Sequence, residues 1–109
     1  MSASAEFVAF VREQLSPLGA LSDGTFFGGH ALKQHGQQFA MVMGNTLYFR
    51  VNDSTRPDFE KRGCKPFSYA TKTKVVQVRK YFSAPLELLD DQALMLQWAR
   101  QAIHAASVA

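Results

Sequence analysis

The chain has 109 residues, 47% of them hydrophobic and 19% charged, which is enough for one core, too few for two, and too apolar for a disordered chain. Lys and Arg number 12 against 9 Asp and Glu, a net charge of +3; so weak a field permits an anionic partner without requiring one. No apolar run reaches bilayer length, no basic-then-apolar leader opens the chain, and the one cysteine, Cys64, excludes an internal disulfide, so a cytoplasmic domain without membrane contact is expected.

The first element reads as a helix over residues 4–15. Ser4 is placed to cap it, and Glu6 sits in the first turn, where the helix dipole favours an acid. Phe7, Val8, Val11, Leu15 and Leu18 follow the rhythm of a buried stripe, and Pro17 with Gly19 ends the run. Residues 1–3 and the last few residues are expected to be dispensable. From residue 25 to 52 the period changes to two. Phe26 and Phe27 lead into Gly28-Gly29, His35-Gly36 marks a turn, and Gly44-Asn45 joins two β-rich runs as a hairpin. A three-stranded antiparallel meander is expected there. Gly28-Gly29, placed inside a strand, marks a bulge or a close backbone approach.

Residues 52–59 open a short helix, with Asp53, Ser54 and Thr55 as capping types and Pro57 in the first turn. Phe59 is its core anchor, and Gly63 fits just past its end. A short strand at 67–69, a polar turn at 71–74 and a longer strand at 75–82 follow. In the longer strand, alternation puts Val76, Val78 and Phe82 on one face and Gln77, Arg79 and Tyr81 on the other. Pro85 begins a loop or single helical turn. Asp90-Asp91 then caps a final helix over 91–106, with Leu94, Met95, Trp98, Ala99, Ala102, Ile103 and Ala106 facing inward and Gln97, Arg100, Gln101 and His104 outward. Adjacent strands bracketed by helices indicate a single α+β domain over residues 1–109, ordered from about residue 4 to 106. Its antiparallel sheet has about five strands, a meander plus a hairpin, packed by the N- and C-terminal helices. No helix separates successive strands as a parallel sheet would need, apart from the short one between strands three and four.

In this order the residues resemble the N-terminal domain of the TfoX family, also called Sxy. The resemblance is carried by Phe27-Gly28-Gly29, Leu47-Tyr48-Phe49-Arg50-Val51, Thr55-Arg56-Pro57-Asp58-Phe59-Glu60, Gly63, Pro66-Phe67-Ser68-Tyr69, Tyr81-Phe82, Leu89-Asp90-Asp91 and Trp98-Ala99. The Thr-Arg-Pro-Asp-Phe run is the most specific. The resemblance implies a small α+β domain with a regulatory role and no established catalysis. Full-length members are described as positive regulators of natural competence that act with the cAMP receptor protein at promoters. It also implies that the family's C-terminal domain, which resembles a helix-hairpin-helix module, is absent here, as in stand-alone members. The family often has Arg-Met before Phe-Gly-Gly; this chain has Thr25 and Phe26 there.

The remaining side chains give a weak case for chemistry. His30, His35 and Cys64 match no compact zinc spacing, and no metal or other cofactor is expected. Cys64, beside Lys65, lacks an accompanying oxyanion-hole motif or paired acid, so a small residue entering a strand is the preferred reading over a nucleophile. Gly28-Gly29 precedes a strand, whereas phosphate loops feed a helix. Asp90-Asp91, Asp53, Asp58 and Glu60 are explained by helix starts. The open question is the basic stretch of Lys65, Lys72, Lys74, Arg79 and Lys80, whose cations would meet phosphates or another anionic partner if they share one exposed edge. An ordinary solvated hairpin is the plainer reading. Phe26, Phe27, Phe39, Phe49, Phe59, Phe67, Tyr69, Tyr81, Phe82 and Trp98 are expected in the core, and any ring exposed beside the lysines would count toward a stacking surface. The expectation is a non-enzymatic regulatory domain acting through a protein partner such as transcription machinery or a regulator, with homodimerisation as a further use of the surface. Direct nucleic-acid binding by the basic hairpin is the first alternative. A small-ligand binder or enzyme near Gly28-Gly29 and Cys64 is the second.

Overall fold

The computed structural model describes residues 3–107. Helix α1 (Ala5–Gln14) begins where Ser4 Oγ accepts from the Phe7 N–H at 3.4 Å, and a single 3-10 turn containing Pro17 ends it. Six strands follow: β1 (Ser22–Phe26), β2 (Gly29–Gln34), β3 (Gln37–Met43), β4 (Thr46–Arg50), β5 (Pro66–Ala70) and β6 (Val75–Ser83). Helix α2 (Arg56–Lys61) lies between β4 and β5, and α3 (Gln92–Ser107) closes the chain. The strands form one antiparallel sheet in the order β1-β2-β3-β4-β6-β5. The α+β class, the flanking helices and the intervening short helix are as the sequence indicates.

The additional strand is β1, and it changes the role of Gly28. Phe27 and Gly28 have φ of 51° and 78° and form the two-residue turn between β1 and β2. Gly28 is therefore a turn residue, since two consecutive positive φ values match the right-handed strand twist. Gly29 begins β2 at a close approach. A Cβ there would lie 2.6 Å from the Val42 carbonyl oxygen and 2.3 Å from Met43 Sδ. His35-Gly36 and Gly44-Asn45 are turns, with φ of 53°, 78° and 61° at His35, Gly36 and Gly44. Ala3 is bridged to Gly44, and the Ser4 N–H donates to the Gly44 carbonyl at 3.0 Å. The chain is thus tied to the sheet from Ala3 onward; Met1, Ser2, Val108 and Ala109, among the residues expected to be dispensable, lie outside the described residues.

One face of the sheet carries the helices. Val11 from α1 and Leu15 just past its end, Phe59 from α2, and Met95, Trp98, Ala99, Ala102 and Ala106 from α3 bury against Leu32, Ala40, Val42, Leu47, Phe49 and Phe82. Asp91 caps α3, its Oδ1 accepting from the Leu94 N–H at 3.0 Å. The other face holds a second cluster of Met41, Met43, Phe67 and Tyr81, with Phe26, Tyr48, Tyr69 and Val78 packed against it. Phe27, from the turn at one end of the strand order, has its ring centroid 5.8 Å from Phe67 and 4.8 Å from Tyr69 at the other end. The sheet therefore curls, and the second cluster fills the curl. β3 is buried on both faces, which is why Phe39-Ala40-Met41-Val42-Met43 is an unbroken apolar run.

The face assignment in β6 needs correction. Phe82 joins the helix-side core, whereas Val78 and Tyr81 share the second cluster. The register shifts between Pro66 and Phe67, from Pro66 opposite Phe82 to Phe67 opposite Val78. That irregularity breaks the period of two, so simple alternation puts Tyr81 on the wrong side.

Candidate interaction surface on the β5–β6 arm

β6 pairs with β4 through Tyr81, Phe82 and Ser83, and the contact ends at Lys80, whose carbonyl meets the Val51 N–H just after β4, while Val75, Val76, Gln77 and Val78 pair with β5. The hairpin of residues 67–78 is therefore a two-stranded arm beyond the main sheet. Its tip is held by Thr71. The Thr71 N–H donates to the Lys74 carbonyl at 2.8 Å, the hydroxyl donates to the same carbonyl at 3.1 Å, and Oγ1 accepts from the Lys74 N–H at 3.2 Å. A threonine hydroxyl satisfying its own turn needs no glycine.

All five predicted cations are exposed. Lys72 and Lys74 share the tip. Lys65 sits at the base, where its N–H donates to Ser83 Oγ at 3.0 Å and its carbonyl accepts from the Ser83 N–H at 2.8 Å. Arg79 lies five residues from Lys74, about 16 Å along an extended strand, and faces α2 with Nη2 3.6 Å from Glu60 Oε2. The Lys80 carbonyl accepts from the Val51 N–H at 2.8 Å. The fold thus gathers Lys72 and Lys74 and sets Arg79 apart from them. Across residues 65–80 there are five cations and no acid, so the rest of the chain is net negative. Beside the arm, Phe27 is 48% exposed and Val75, next to the tip, is 68% exposed. Phe39, Phe49, Phe67 and Phe82 are buried, as core spacing requires.

Elsewhere the side chains are engaged structurally. Cys64 is half-buried, and burial raises its thiol pKa, with hydrogen bonding to Ser83 and the Arg62 charge opposing. The Lys65 side chain, adjacent in sequence, is not what tunes it. A raised thiol pKa leaves little thiolate at neutral pH. Gly29 approaches Met43 of the second cluster, whereas Cys64 packs against the helix-side core, so the fold does not bring the two together. His30 Nε2 meets Asp23 Oδ2, and Arg12 bonds Asp23 Oδ1 at 2.6 Å, a surface trio joining α1 to β1 and β2. No group of three or more His, Cys, Asp or Glu stands together among the described residues.

A groove of about 440 Å³ between α2 and α3 escaped the sequence reading. Asp58, Lys61, Arg62, Gln97, Trp98 and Gln101 line most of it. The Arg62 guanidinium stacks 5.1 Å above the Trp98 ring and bonds Glu87 at 2.5 Å. The only sequence signal was the Gln97 and Gln101 pair, one turn apart on the wet face of α3. Phe27 gave no signal, because a phenylalanine at positive φ is uncommon.

No helix of the described residues is long and apolar enough to cross a membrane. No curated protein matches the sequence. The model of the TfoX N-terminal domain matches residues 13–106, from the last turn of α1 to the last turn of α3. Such a match covers both sheet faces, the arm and the groove, and it supports a regulatory, non-catalytic domain in general terms. The chain therefore belongs to the TfoX N-terminal domain family.

Proposed function

We propose that this domain is a non-enzymatic regulator of transcription, working in the cytoplasm by docking a protein partner through the β5–β6 arm. The observation that carries this reading is the arm itself. It stands beyond the main sheet, carries Lys72 and Lys74 at its tip and Lys65 at its base with no acid between, and has Val75 exposed next to the tip and Phe27 exposed against Tyr69. Exposed apolar side chains bordered by cations suit protein recognition. The test compares transcripts in cells lacking the gene, cells carrying the wild type, and cells carrying Lys72→Glu/Lys74→Glu. Deletion should alter a defined transcript set, and the charge-reversed protein, shown folded by its melting curve, should fail to restore it. Full restoration by that variant refutes the assignment to the arm.

The acid-free run of cations favours one second reading, direct contact with nucleic acid. It requires binding that weakens steeply with salt in a mobility shift, with a slope reduced by about one for each lysine removed. Absence of binding at low salt eliminates it.

A further inference from the structure

β5 is an edge strand. The Thr71 N–H bond to the Lys74 carbonyl fixes the phase of its ladder. Counting back through the register, Tyr69 opposite Val76 and Phe67 opposite Val78 exchange backbone bonds with β6. The N–H and C=O groups of Ser68 and Ala70 therefore point outward, and no strand of the described residues covers them. Natural edges are commonly blunted by charged side chains. Edge strand β1 carries Asp23, whereas Pro66-Phe67-Ser68-Tyr69-Ala70 carries no charge. The cations stand at its two ends instead, Lys65 at one and Lys72 with Lys74 at the other.

We propose that the outer edge of β5 receives an extended segment of a partner protein as a seventh strand, and that this segment carries an apolar residue flanked by acidic ones. The inference rests on the reading of the domain as a partner-docking regulator and names the chemistry of that partner. Main-chain bonds to Ser68 and Ala70 supply affinity, as in strand addition generally. Phe67 and Tyr69 face the second cluster, so an apolar side chain on that side of the added strand would lie beside Tyr69 and the exposed Phe27 ring. Acidic ends meet Lys65 and Lys72. A second copy of this chain fits poorly. Antiparallel self-pairing centred on Ser68 sets Lys65 opposite Thr71 of the other copy, next to its Lys72, with no acid in the hairpin to relieve the repulsion. Phosphates fit the cations but only accept hydrogen bonds, and the Ser68 and Ala70 carbonyls require donors.

The test uses a labelled, end-blocked peptide of about eight residues, a Val/Thr alternation with two Glu at each end, titrated with the whole chain by fluorescence anisotropy. Its companions are the same core with Lys ends, a version N-methylated on alternate amides, and a duplex oligonucleotide. The acidic peptide should bind at least about tenfold more tightly than the Lys-ended one, and N-methylation in one of its two phases should abolish binding. Ser68→Pro removes one outward N–H and leaves the Phe67 and Tyr69 bonds to β6, so it should weaken the acidic peptide about tenfold or more while the protein stays folded. If that variant does not fold, the N-methylated peptides still decide the matter. Equal binding of acidic and Lys-ended peptides, indifference to both N-methylated phases, no binding of any peptide, or binding of the oligonucleotide alone overturns the proposal. A deletion that alters transcripts while the peptide arms fail removes the β5 edge and keeps the regulatory reading. A deletion without effect removes that reading whatever the peptides do.

Discussion

Gly29→Ala tests the close packing between β2 and β3. The added methyl carbon would sit 2.6 Å from the Val42 carbonyl oxygen and 2.3 Å from Met43 Sδ. Ordinary C···O contacts begin near 3.3 Å, so the backbone overlap is about 0.7 Å. Met43 is flexible but only 2% exposed, so its sulfur can move only by displacing its neighbours in the second cluster. The carbonyl belongs to a strand buried on both faces and cannot shift without disturbing its ladder. Overpacking of this kind costs about 1–3 kcal/mol, and the stiffer unfolded chain returns about 0.4–1. The net loss is then about 1–2 kcal/mol, a fall in Tm of roughly 5–10 °C for a domain of this size. Urea and thermal unfolding followed by circular dichroism measure it. Gly36→Ala is the contrast, because nothing lies within 4 Å of its Cβ and only its φ of 78° opposes the change. Its loss should be about 1 kcal/mol, from backbone strain alone. A Gly29→Ala protein within about 0.5 kcal/mol of wild type, beyond the scatter of the fits, would refute the packing argument.

Other expectations concern the core, a cap and alkaline pH. Phe59 is the one buried side chain of α2, with its ring 4.7 Å from Trp98. Phe59→Ala should cost about 3–4 kcal/mol in urea melts, and a loss below about 1 would contradict that anchoring role. Asp91→Ala removes the acceptor for the Leu94 N–H and should cost about 1 kcal/mol, while Asp91→Asn should restore most of it. The Cys64 thiol and the Tyr48 and Tyr81 hydroxyls are all raised by burial above ordinary values of 9.0 and 10.0. The unfolded chain therefore releases these protons first, so stability is level below the unfolded values and falls as pH climbs past about 9. Cys64→Ser should move the onset of that fall toward pH 10, and an unchanged onset in urea titrations would contradict the role of Cys64.

The helices were the most legible elements because their signals are local. Ser4, Asp91 and the stripe of Met95, Trp98, Ala99, Ala102 and Ala106 each declare themselves within a turn or two. β1 was not legible, since Ser22-Asp23-Gly24-Thr25 has no alternating apolar set and Phe27 occupies a turn position that glycine or asparagine usually marks. Its place is decided by distant rings, Phe67 and Tyr69, that the turn reaches only when the sheet curls. The β6 faces were misread for a related reason, because a bulge is a property of two strands and leaves no trace in one. The five cations were readable by number, but not their division between the arm's tip, its base and Glu60. The α2–α3 groove depends on helix placement, which no spacing reveals.

Site-specific photocrosslinking in living cells tests the central claim most directly. A benzophenone side chain at position 75, next to the arm's tip, should capture a discrete second polypeptide on irradiation. The same group at position 101, in the α2–α3 groove, should not. Capture from position 101 with none from position 75 would contradict the assignment of partner docking to the arm.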